Sequence, residues 1–155
     1  MTYSLLLNLH SLWRWAVLLS ILFAIYRALD RYLKSAAFTK LDNAIRHWTA
    51  TIAHVQLILG LILYTKSPTV AYFYEAPGTA LQSANLSFFP FYHLLLMLLS
   101  IGILTVGSAI TKRKASDQEK FKSMLLWFSL ALLIMLIAIP WPFSPIAQRP
   151  LIPQF

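Results

Sequence analysis

The sequence predicts an all-α integral membrane protein, an up-down bundle of four spanning helices with the N-terminus and the C-terminus both outside the cytoplasm. Three observations predict it. Of 155 residues, 59% are hydrophobic and 12% charged, and the mean hydropathy is +0.66, values outside the range of ordinary soluble domains. Four apolar stretches, 4–26, 48–64, 91–110 and 124–139, reach with their aromatic flanks the roughly 17–25 residues a helix needs to cross about 30 Å of hydrocarbon. The basic residues fall on one side of these stretches. Arg27, Arg31, Lys34, Lys40 and Arg46 surround the first connection and Lys112, Arg113, Lys114, Lys120 and Lys122 the third, against Lys66 and Arg149 on the opposite side. The positive-inside rule then sets the first and third connections in the cytoplasm. The net charge of +8 thus reports topology, and nucleic acid is not expected as a partner.

The chain reads as one membrane domain, residues 1–155, with helices over about 3–33, 44–66, 89–112 and 117–140. The Met-Thr-Tyr-Ser start has no basic n-region and no small-residue cleavage site, so it reads as helix 1 rather than as a signal peptide. Helix 1 passes the membrane boundary, because Arg27, Asp30 and Arg31 keep helical spacing and their stems can snorkel to headgroups. Residues 35–43 form a short polar connection in which Asp42 or Asn43 caps helix 2. The extracytoplasmic connection 67–88 carries Pro68, the aromatics Tyr72 to Tyr74, a Pro77-Gly78 turn and a short interfacial helix around 79–86. Pro90 belongs in the first turn of helix 3, where its missing amide costs nothing. Ser116 and Glu119 have capping-box spacing at the start of helix 4. Pro140 and Pro142 end that helix beside the interfacial aromatics Trp141 and Phe143. The proline-rich tail 141–155 is expected to be extended.

With no cysteine in the chain, disulfides, thiolate metal sites and cysteine nucleophiles are excluded. Ionisable groups inside hydrocarbon are costly, which singles out His10, Arg14, His54 and His93. A rise of ~1.5 Å per residue puts His10 about 8 Å and His93 about 11 Å outward of their helix centres, and His54 about 4 Å toward the cytoplasm. His10 and His93 therefore share a depth on facing helices, as the axial ligands of a haem iron would, with His54 as the substitute ligand. Arg14 follows His10 by four residues on the same face, where a guanidinium can pair with a haem propionate. Ser100, Gly102, Gly107, Ser108 and Gly60 allow close backbone approach to a neighbour or a macrocycle. His47, beside Arg46 and Trp48, reads as interfacial. The plain alternatives are histidines that hydrogen-bond across the bundle, and an Arg14 that pairs with Glu75 or reaches the outer headgroups.

The segments Leu9-His10-Ser11-Leu12-Trp13-Arg14-Trp15, His54-Val55-Gln56-Leu57 running into Gly60-Leu61-Ile62-Leu63-Tyr64, and Tyr92-His93 resemble small bacterial membrane proteins of the cytochrome b-like type. The resemblance implies a haem-binding bundle in the bacterial inner membrane, with His10, His54 and His93 as the matching histidines and Arg14 as the matching arginine. One haem b, electron transfer and a respiratory or redox complex as partner follow as expectations. His47 and His54 are only seven residues apart, too close for two stacked haems, so a single haem near the outer face is expected. The competing readings are a non-redox accessory subunit and a quinone or metal site using His54 and Gln56.

Overall fold

The computed structural model describes residues 2–144 and Ala147. Its spanning-length helices are α1 (Tyr3–Leu33), α2 (Lys40–Lys66), the continuous helical run Ala84–Arg113, and α7 (Asp117–Ala138). All four are long and apolar enough to cross a membrane. Among the described residues there is no strand.

The helices run antiparallel in sequence order, and α7 closes back on α1. Cross-helix hydrogen bonds fix the register. Trp13 Nε1 donates to the Ile52 carbonyl at 3.1 Å and Ser100 Oγ to the Ala131 carbonyl at 2.8 Å, while the Thr111 and Ser123 hydroxyls meet at 2.9 Å. Residues of α1 and of the 84–113 run therefore face each other diagonally. Large side chains such as Leu19, Phe23, Ile58, Leu95, Val106, Leu126 and Ile137 point outward. So extensive an apolar surface suits contact with a lipid bilayer and not with water.

The end that carries the short connections is tightly filled. Val17, Ile21, Ala24, Leu104, Phe121, Met124, Phe128 and Ala131 form one buried cluster. At Gly107 a β-carbon would lie 2.1 Å from Trp127 Cβ, so this glycine allows α7 to approach closely. Gly102 has nothing within 4 Å of a built β-carbon, and the close approach expected there is absent because that position faces outward.

Several local expectations are corrected. Helix 2 begins at Lys40 rather than 44, because Thr39 and Asp42 form a capping box. Asp42 is 1% exposed and takes Arg27 Nε at 2.6 Å. Arg27 and Arg31 do not snorkel outward. Arg27 closes that ion pair, and Arg31 donates to the Ala37 carbonyl at 3.3 Å. Arg46, read from sequence as a topology marker, is buried; its guanidinium donates to the Ser108 hydroxyl and carbonyl and to Asn43 Oδ1. The capping box of Ser116 and Glu119 is present as expected. Helix 4 ends at Ala138, just before Pro140.

The connection 67–88 is more helical than the sequence suggested. It forms α3 (Pro68–Glu75), α4 (Pro77–Leu81) and α5 (Ala84–Ser87), and then a π-helical turn, Phe88–His93, leads into α6 (Leu94–Arg113). Pro90 therefore lies inside a continuous helix instead of at its first turn. A π turn shifts the backbone bonding to i→i+5 and tolerates the missing amide, and the Pro90 carbonyl accepts from Tyr64 Oη at 3.1 Å. Of the expected tail, Pro145, Arg149, Pro150 and Pro153 lie outside the described residues. Trp141 packs 6.4 Å from Trp15 on α1.

Candidate functional site

Two periodic stripes build the site. On α1, Tyr3, Leu7, His10, Ser11, Arg14 and Val17 recur at three- and four-residue steps, so they share one face. On α2, Ala53, Gln56, Gly60 and Tyr64 do the same. Together with Phe89, His93 and Met97 they wall a cavity of about 350 Å³ in the half of the bundle remote from the short connections. Val17, Ala53, Ile101 and Met135 form its floor, and among the described residues no lining residue is acidic.

His10 and His93 meet across this cavity. Their ring centroids are 6.3 Å apart with planes at 74°. Arg14 lines the same cavity, with its guanidinium carbon 5.5 Å from the Trp15 ring. His54 does not join them. Its Nε2 contacts Thr105 Oγ1 at 3.0 Å in the groove between α2 and α6, away from the cavity lining. His47 is exposed beside Trp48.

The two imidazoles are held differently. His93 Nδ1 lies 2.8 Å from the Ala138 carbonyl. A carbonyl only accepts, so the proton is on Nδ1 and the Nε2 lone pair is left for another partner. Phe88 and Phe89 each pack 5.9 Å from this ring. The His10 ring rests against Gly60, where a β-carbon would lie 3.0 Å from Cε1. Gln56 Nε2 donates to the His10 carbonyl at 2.9 Å and approaches His10 Nε2 at 3.3 Å. An amide nitrogen only donates, so His10 also carries its proton on Nδ1, a buried atom with no hydrogen-bond partner.

The type and spacing of these two side chains are those that would be needed to hold one haem iron between them. Two metal–imidazole bonds of about 2 Å put the ligating nitrogens about 4 Å apart, and each ring centroid lies one ring radius further out. A centroid separation of 6.3 Å agrees with that span. Both rings carry the proton on Nδ1, and the Nε2 lone pair of His10 already faces the Gln56 amide, while Gly60 leaves space beside His10 that any larger residue would take. Among the described residues no group of three or more His, Cys, Asp or Glu converges to hold a metal ion.

Compared with family models, curated proteins and solved structures, the chain matches none.

Sequence reasoning missed how central Gln56 is. Its signal was present, since Gln56, Gly60 and Tyr64 are spaced by four on the helix that also carries His54. Arg46 gave no such signal, because its Ser108 acceptor lies 62 residues away in the chain.

Proposed function

We propose that this protein is a small cytochrome b-like electron-transfer subunit of the bacterial inner membrane that holds one haem b between His10 and His93. The observation that carries the reading is the pair of imidazoles, 6.3 Å apart, facing one another across an apolar cavity in a chain with four spanning-length helices. Haem, when bound, supplies the one-electron chemistry.

The chain's own residues provide the rest. His10 and His93, from diagonal helices, would hold the haem iron through imidazole nitrogens. The Ala138 carbonyl orients His93 and makes its ring a better donor. Arg14 brings a positive charge to the cavity wall, which favours an anionic propionate there. Leu57, Met97, Ile101 and Met135 keep water from the site. The basic residues at the opposite end support an orientation with both termini outside and electron exchange near the outer face. The redox partner is then a respiratory or other redox protein complex.

The test is the visible spectrum of protein purified after expression with ample haem, oxidised and dithionite-reduced. A Soret shift with resolved α and β bands is expected. His10→Ala and His93→Ala each abolish low-spin haem. Arg14→Leu keeps haem but lowers its reduction potential, since a charge favouring the electron-rich form is lost. His54→Ala keeps the low-spin spectrum. A featureless spectrum in the wild type refutes the reading and favours a non-redox accessory subunit or a quinone site, in which Gln56 and His10 offer the polar contacts.

A further inference from the structure

The two histidines facing the cavity differ in one decisive respect, the state of the Nε2 lone pair. On His93 the proton is anchored by the Ala138 carbonyl at 2.8 Å, and two phenylalanine rings pack against the imidazole. Its Nε2 has no hydrogen bond among the described residues. On His10 the Nε2 lone pair is the acceptor of the Gln56 amide at 3.3 Å, while Nδ1–H has no partner to strengthen the ring as a donor. The same Gln56 nitrogen is pinned to the His10 backbone carbonyl at 2.9 Å. It therefore stays beside the ring when the ring moves.

We infer that Gln56 competes with iron for His10 Nε2, making His93 the fixed ligand and His10 a displaceable one, so that a small neutral ligand of ferrous haem binds on the His10 side. The inference rests on the haem reading above and adds to it a ligand-binding activity that an equal bis-histidine pair lacks. Gln56 is a positioning residue, acting only through His10. One such neutral hydrogen bond changes an equilibrium by about fivefold. This is enough to set a population of released His10 without preventing its return.

The probe is carbon monoxide, mixed with the dithionite-reduced full-length protein in detergent or nanodiscs and followed in the Soret region. Wild type is expected to bind it at a rate that saturates as its concentration rises, because His10 must leave first. Gln56→Met, which removes the competing N–H at similar size, binds it about fivefold more weakly. His10→Ala keeps a five-coordinate haem and binds it without saturation, and His93→Ala loses the haem. Should Gln56→Met fail to fold, the saturation in wild type and the contrast between the two histidine variants still decide. A low-spin wild type that refuses carbon monoxide, an unchanged affinity in folded Gln56→Met, or retention of haem by His93→Ala and not by His10→Ala overturns the inference and leaves a bis-histidine haem standing. Absence of any Soret band in wild type overturns the haem reading and this inference with it.

Discussion

Replacing Gly60 by alanine separates the site from the fold. The added β-carbon would lie 3.0 Å from His10 Cε1, 3.5 Å from Nδ1 and 4.0 Å from Nε2. Carbon atoms settle at about 3.5–4.0 Å, so the ring must retreat by roughly half an ångström. That shift costs less than the ~0.5–1.5 kcal/mol of a 30° rotamer distortion. It is offset by the ~0.5–1 kcal/mol that alanine gains over glycine inside a helix. Net stability should therefore change by less than about 0.5 kcal/mol. A site that must hold its geometry within about 0.5 Å should instead lose haem affinity on the order of tenfold. Gly102→Ala is the matched control, since its β-carbon meets nothing within 4 Å, and it should leave haem binding unchanged and stability equal or higher. Haem titration monitored at the Soret band and thermal unfolding in the same detergent give the two readouts. Equal haem affinity in Gly60→Ala and wild type would refute the reasoning, as would a parallel loss of affinity and stability.

Three further outcomes are expected. A reporter active only in the cytoplasm should work when fused after Lys114 and fail when fused after Phe155, because the basic residues cluster around the first and third connections; activity at Phe155 reverses the orientation. Gly107→Ala should destabilise the bundle by about 1–3 kcal/mol or more through overpacking, since the β-carbon would meet Trp127 Cβ at 2.1 Å, and an unchanged unfolding midpoint contradicts the close approach of α6 and α7. Asp42→Ala should cost about 1–3 kcal/mol by removing the helix cap and the acceptor of a partly exposed Arg27, as Asp42 serves both Arg27 and the Thr39 cap; in Asp42→Asn the capping acceptor survives and the loss is smaller. Chemical unfolding of the three proteins in one detergent checks that order.

The four helices of spanning length were legible because each apolar run is longer than any buried strand or short core helix requires. The start of α7 was legible because Ser116 and Glu119 follow the commonest capping-box pattern. The start of α2 was not, because its box uses Asp42 where Glu or Gln is usual, and this moved the expected boundary from Lys40 to 44. The meeting of His10 with His93 follows from depth arithmetic and up-down topology, both sequence properties. Whether His54 joins them depends on helix rotation, which neither argument fixes. The burial of Arg46 against Ser108 and the π turn at Pro90 arise from packing between distant segments, where local sequence carries no signal.

The π turn has a consequence for how this sequence can vary. A wider turn accommodates one residue more than an α-helical turn, and each α-helical residue advances the facing by about 100°. The segments before Phe88 and after His93 therefore keep the facing of one continuous helix despite the extra residue, and Phe88 and Phe89 both reach the His93 ring. Deleting a single residue between them would relax the turn to an ordinary helix without shortening any apolar span. Helices α3 to α5 would keep their facing relative to α6, because the wide turn had absorbed the extra residue, while the Phe88 and Phe89 rings would shift relative to His93. A chain so altered keeps its hydropathy profile and its helix facing but loses the aromatic packing that holds the His93 ring.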